Sequence, residues 1–174
     1  MATYPELAGV EELIFEFVNS GSTEAFWALR EYLMDSPHYQ PDSPLLEELW
    51  QAIEDQRPDI EKLAAQLWPN FLLTPNAHYL LAKYYHAKGE ETGAQVEKMF
   101  FRNLLDVWQV IGDGSPERPF LVTRVDEELT LCSFLEAEIS GFDCQWVNAK
   151  LHDVLLTNKG PLHFRVDEVV RRYP

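Results

Sequence analysis

Asn76 to Met99 reads NAHYLLAKYYHAKGEETGAQVEKM, and its punctuation decides the fold of the first two-thirds of the chain. Thr74-Pro75 just upstream is a cap-then-proline signal that opens a helix. Gly89 suits the left-handed position that ends one. A second helix starts near Glu90 and carries Val96, Phe100, Leu104, Val107 and Ile111 on one face. Phe101, Leu105 and Trp108 lie beside them. So broad an apolar stripe predicts a central helix packed on two sides. The segment is therefore a helical hairpin, with Tyr79, Tyr84, Tyr85, Phe100, Phe101 and Trp108 expected to pack its core.

Working outward, earlier residues carry the same helical period. Leu7, Val10, Ile14, Phe17 and Val18 define one stripe, which Asn19-Ser-Gly stops. Ser22 or Thr23 caps a second helix that ends before Ser36-Pro37. Ser43-Pro44 opens a third through Leu45, Leu46, Leu49, Trp50 and Ile53. Pro58 opens a fourth, closed by Trp68-Pro69-Asn70. The stretch 112–119, Gly-Asp-Gly-Ser-Pro-Glu-Arg-Pro, cannot continue a helix and is the clearest break. Beyond it, residues 119–125 read as a strand, and Asp126 caps a short helix through Leu135. Strands follow at 144–147, 151–157 and 162–166. The fold class is thus α+β: a helical-hairpin stack over 1–111 and a small, mostly antiparallel sheet over 112–174, packed as one unit.

Composition narrows the function classes. The chain has 174 residues, 46% hydrophobic and 13% aromatic, enough for a real core. The net charge of −15 falls mostly on residues 1–74. Such a field repels phosphate backbones and argues against nucleic acid. It reads as a solvated acidic surface or, more sharply, as a docking face for a basic partner. No apolar run reaches the length of a membrane span, and MATYPELAGVEELIF lacks the basic and apolar regions of a secretory leader. The expected location is cytoplasmic. Cys132 and Cys144 form no C-x-x-C pair; reduced thiols fit that compartment, and one disulfide is the alternative.

Ala82, Tyr85, Gly89 and Ala94 are similar to the small-aromatic-glycine-small rhythm of a tetratricopeptide hairpin. More broadly, AHYLLAKYYHAKGEETGA, IGDGSPERPFLVTRVDEEL, Gln145 and the LHDVL of 151–155 resemble a bacterial domain family of unknown function. That family joins tetratricopeptide-like helices to a Gly-Asp-Gly motif and a small β appendage. The likeness covers about residues 24–157. The chain departs from it at Leu129 and His152, where the family has tyrosines. The resemblance implies a fold and brings no activity with it.

Candidate sites follow from charge and chemistry. Lys83, Lys98 and Arg102 relieve the negative field over the hairpin; with His78 and Tyr85 they suggest a groove for an acidic or carboxylate ligand. Asp113, Glu117 and Glu127, with Ser115, Asp126 and Glu128 near them, form an acidic cluster. Its plain reading is turn chemistry; its sharper one is a hard-cation site. The histidines His38, His78, His86, His152 and His163 match no zinc motif, although His78 and His86 share a broad helical face. Nucleophile elbows and phosphate loops are absent. The expectation is a non-enzymatic protein- or peptide-binding module that needs no cofactor. Two alternatives stand beside it: a metal-dependent hydrolase centred on Asp113, Glu117 and Glu127, or an acidic inhibitor or immunity-type protein.

Overall fold

The computed structural model describes Leu7 and residues 9–172. Residues 1–6, on which part of the leader reading rests, lie outside the described residues. The fold is α+β. Six helices come first: α1 (Glu11–Ser20), α2 (Thr23–Asp35), α3 (Leu45–Glu54), α4 (Ile60–Gln66), α5 (Pro75–Ala87) and α6 (Glu91–Ile111). Strand β1 (Phe120–Leu121), helix α7 (Glu127–Phe134), strands β2 (Ile139–Val147), β3 (Lys150–Thr157) and β4 (Gly160–Arg165), and a last turn α8 (Asp167–Val170) complete it.

The helix boundaries follow the local chemistry. Gly21 ends α1 in the left-handed region at φ +63°. The Ser22 hydroxyl then caps α2 by accepting from the Ala25 amide. Gly89, at φ +77°, turns the chain between α5 and α6, and the Glu90 amide reaches back 2.9 Å to the Tyr85 carbonyl. The glycine that brings the two helices together is a different one. A Cβ on Gly93 would sit 3.3 Å from the Tyr85 ring, so close approach is achieved one turn into α6. Several boundaries differ from expectation: α1 opens at Glu11 and α4 at Ile60, later than Leu7 and Pro58, and β2 runs from Ile139, ahead of the strand expected over 144–147. Ser43 makes no cap bond to α3, whose first turn starts one residue later, with Pro44 at the cap position. The strand expected over 119–125 is only two residues long, because the chain turns at Thr123 into α7.

Helix α6 divides the interior. Phe100, Leu104 and Val107 enter a core shared with α1 to α5, where Phe17, Phe26, Leu29, Leu33, Leu49 and Phe71 are buried. Leu105 and Trp108, about 100° round the same helix, enter a second core with Phe120, Val122, Leu131, Leu155, Phe164 and Val166. The wide stripe therefore serves two layers, as its breadth implies. Asn103, on the side of the first stripe away from the second, donates from Nδ2 to the Phe17 and Val18 carbonyls at 2.7 and 2.9 Å and so caps the end of α1.

The sheet order is β1-β4-β3-β2; β1 runs parallel to β4 and the other pairings are antiparallel. Asn148 and Ala149, both at positive φ (50° and 61°), make the two-residue turn from β2 to β3. The Gly-Asp-Gly break locks the helices to this sheet. The Gly114 carbonyl accepts from the His163 amide at 2.9 Å. Gly114 has φ +77°, and a Cβ there would lie 2.8 Å from the Phe120 ring and 2.9 Å from Leu162. A Cβ on Gly112 would meet the Pro119 carbonyl oxygen at 2.7 Å. Both glycines are demanded by packing.

A second set of contacts joins the stretch 122–130 to the helical layer. Arg124 stacks on Phe71 at 4.2 Å and donates to the Gln40 and Ser43 carbonyls, each at 3.1 Å. The Tyr39 hydroxyl donates to the Thr123 carbonyl, and Asn76 reaches Thr130 at 2.7 Å. These bonds fix α7 opposite α3.

Candidate functional site

Holding α7 away from α3 leaves an open cleft of about 740 Å³ between them. Leu46 and Trp50 of α3 form one wall, Leu129 of α7 another, and Phe142 of β2 with Leu155 of β3 line the end. Trp50, Leu129 and Phe142 are each more than half exposed (57%, 59% and 62%). Acidic Asp42, Glu47 and Asp126 line it as well. A shallower depression of about 560 Å³ adjoins it across Leu129, between Tyr79, Phe101 and Phe134. Leu129 thus stands between two apolar hollows.

Glu128 belongs to the first cleft and is only 3% exposed. Burial, with the Asp153 carboxyl beside it, pushes its pKa up to about 9. Asp153 is raised too, chiefly by burial. Register explains the pairing: Asp153 on β3 lies opposite Cys144 on β2, and that face of the sheet looks toward α7. The Cys144 and Cys132 thiols flank the pair; burial raises both, Cys132 to about 11. Both cysteines are free thiols. The Glu128 and Asp153 carboxyl groups share a hydrogen bond, and no N–H or hydroxyl of another residue reaches the buried Oε1 of Glu128.

Glu127 plays a different part. It is 1% exposed and accepts four hydrogen bonds: from the Thr74 and Thr123 hydroxyls (2.9 and 2.8 Å) and from the Thr123 and Arg124 amides (2.7 and 3.2 Å). Burial nonetheless lifts its pKa to about 7. It closes the first turn of α7 and ties it to the cap residue of α5. Asp126 makes no side-chain cap bond and instead holds Arg124 at 3.1 Å.

The other sequence-derived candidates are dispersed. Asp113 is exposed; its carboxylate accepts from the Ser115 amide and meets Arg118 at 3.4 Å, and the bonds from Ser115 keep its pKa below the usual carboxylate range. Glu117 is exposed on the same loop. Neither shares a hydrogen-bonding partner with Glu127, and among the described residues no group of three His, Cys, Asp or Glu side chains is placed to hold a metal ion. His78 is buried, stacked on Phe100 at 3.9 Å, with its ring nitrogens on Glu97 (2.6 Å) and the Leu72 carbonyl (2.8 Å). It belongs to the core. His86 is exposed and meets Glu91 instead. Tyr85 is half-buried against Gly93. Lys83 lies over Tyr79, Lys98 is exposed, and Arg102 meets Asp106 at 3.6 Å. None of these three cations lines either hollow.

Sequence reasoning passed over Trp50, Leu129, Phe142 and Asp153 as site residues. The Glu-Glu and His-Asp-Val-Leu motifs carried part of the signal, but nothing linear places Glu128 against Asp153. The pair His152 and His163, buried with ring centroids 5.6 Å apart, was equally invisible, since it depends on strand register.

A scan against protein-family models finds no match to the chain, and neither curated proteins nor solved structures give one.

Proposed function

We propose that this chain is a non-enzymatic protein-binding module whose cleft between α3 and α7 takes an extended segment of another protein carrying apolar anchors and basic side chains. The observation that carries the reading is the pairing of exposed apolar walls (Trp50, Leu129, Phe142) with acidic lining (Asp42, Glu47, Asp126) in one cleft. Apolar side chains left in water at a concave surface gain most from being covered, and the charge selects a basic occupant. The net charge of −15 adds long-range attraction for such a partner. This moves the binding surface from Lys83, Lys98 and Arg102 to the opposite charge logic. The tetratricopeptide-like reading of α5 and α6 is retained as part of the proposal, with the hairpin acting as scaffold. The two free thiols support a cytoplasmic setting, and no described helix is long and apolar enough to cross a membrane.

The test is selection of phage-displayed random peptides on the purified protein, followed by titration of the winners against Leu129→Asp and Trp50→Ala. Both residues are exposed, so the variants should fold. Enriched peptides should combine aromatic or aliphatic residues with Lys or Arg, and should lose at least tenfold in affinity for Leu129→Asp. Peptides without basic residues, or binding untouched by both substitutions, would defeat the reading.

A further inference from the structure

Resting on that peptide-binding reading, we propose that the floor of the cleft is a receptor for a single cationic group, the guanidinium or ammonium of a basic side chain, held by Glu128 with Asp153 behind it. Glu128 is 3% exposed, lines the cleft, and shares a hydrogen bond with the Asp153 carboxyl, while no N–H or hydroxyl of another residue reaches its Oε1. A buried polar atom in that state is costly and marks a place where a donor is missing. The donor's charge follows from the surroundings. The charged groups that act on Glu128 are Asp153 of β3 and Glu127 and Asp126 of α7, all acidic. The Cys132 and Cys144 thiols beside it are neutral, the buried Cys132 raised to about 11 and the exposed Cys144 raised as well. Arg124, the basic residue in the cleft lining, has its guanidinium committed to Asp126, to the Gln40 and Ser43 carbonyls and to the Phe71 ring. None of these contacts goes to Glu128.

A neutral donor would satisfy Oε1 with one hydrogen bond. A cation would do that and also balance the acidic cluster, in a site whose Trp50 and Phe142 walls suit a cation's apolar stem and, for guanidinium, its flat face. Charge balance defines a consequence. Burial keeps the Glu128 carboxyl protonated at neutral pH; when the cation arrives, the carboxyl O–H bond breaks, the proton passes to solvent, and the carboxylate pairs with the bound cation. Binding therefore releases a proton, and affinity should rise with pH up to the pKa of about 9.

The probes are N-acetyl-tryptophyl-arginine amide and its neutral isostere N-acetyl-tryptophyl-citrulline amide, titrated calorimetrically into the full chain in buffers of different ionisation enthalpy. The arginine peptide should bind at least tenfold tighter, release close to one proton, and strengthen nearly tenfold per pH unit between pH 6 and 8. The citrulline peptide should do neither, which also subtracts any contribution of Glu127. Glu128→Gln should erase both the preference and the proton release. Should that variant fold poorly, the pH profile of the unaltered protein decides. Equal binding of the two peptides, a flat pH profile for arginine, or full discrimination in Glu128→Gln overturns the cation receptor and leaves the peptide cleft standing if Leu129→Asp still weakens both. Binding of neither peptide overturns this inference, and the peptide reading then stands or falls on the phage selection.

Discussion

Glu127 offers the sharpest test of how this fold is held together. Its carboxyl group collects four hydrogen bonds at the point where α7, α5 and the 122–124 segment meet. Replacing it with alanine strands four donors in a buried site. At about 1 kcal/mol net for each bond, Glu127→Ala should cost on the order of 4 kcal/mol, a large part of a typical domain's stability. Glutamine tells the opposite story. Its carbonyl can accept from the Thr123 and Arg124 amides while its amino group donates to the two threonine hydroxyls, so the network survives without an ionisable group. The sign of the pH effect follows from linkage. Folding raises the Glu127 pKa from 4.5 to about 7, so the folded chain binds more protons than the unfolded one. The stability this represents is complete below about pH 4.5 and is lost as pH rises through about 7. A shift of that size corresponds to about 3 kcal/mol. Urea unfolding of the wild type and Glu127→Gln between pH 5 and 9 should therefore show near-equal stability at pH 5 and a variant more stable by about 3 kcal/mol at pH 9. Glu128 titrates in both proteins, so the difference isolates Glu127. Parallel stability curves across the range, or a Gln variant as damaged as Ala, would refute the assignment.

Further substitutions probe the other joints. Gly114→Ala forces a side chain into the left-handed region and against Phe120 and Leu162; a loss of about 2 to 4 kcal/mol in chemical denaturation is expected, and a neutral result would mean the break does not lock the sheet. Arg124→Lys keeps the charge but gives up the fork on the Gln40 and Ser43 carbonyls and the stack on Phe71, which should lower stability by about 2 to 4 kcal/mol; an unchanged melting temperature counts against the staple. Asn103→Ala removes two bonds to the last turn of α1 and should cost about 1 to 2 kcal/mol, with hydrogen exchange rising first in α1. Were exchange in α1 unaltered, Asn103 would not be its cap.

Much of the architecture was written locally. Gly21 and Gly89 stop helices because left-handed backbone is cheap for glycine, Ser22 caps because its hydroxyl is short enough to reach Ala25, and Asn148 begins a tight turn for the same local reasons. The breadth of the α6 stripe, too, is a property of spacing alone, and it foretold two packed faces. The candidate site was far less legible. Glu127 and Glu128 are neighbours with similar chemistry, yet one turns to Thr74, 53 residues away, and the other to Asp153. Their different roles arise from which side of α7 each occupies, and a helical step of about 100° decides that. Asp113 and Glu117 lie close to Glu127 in sequence, but Asp113 bonds within its own loop and Glu117 is exposed on it, because Gly112 and Gly114 bend the chain against Phe120 before it reaches α7.

The sequence by itself determined the order and ends of the helices, the change to strands after Gly112, the excess of acid and the demand for glycine at the turns. These depend on side chains acting on backbone a few residues away. Tertiary structure alone decided that Trp50, Leu129 and Phe142 border one cleft, that Glu128 faces Asp153, and that His78 serves the core. Those outcomes rest on strand register and on the angle at which α7 is pinned to α3 and α5. They are set by contacts between residues tens of positions apart, each too weak alone to be read from the chain and decisive only when buried together.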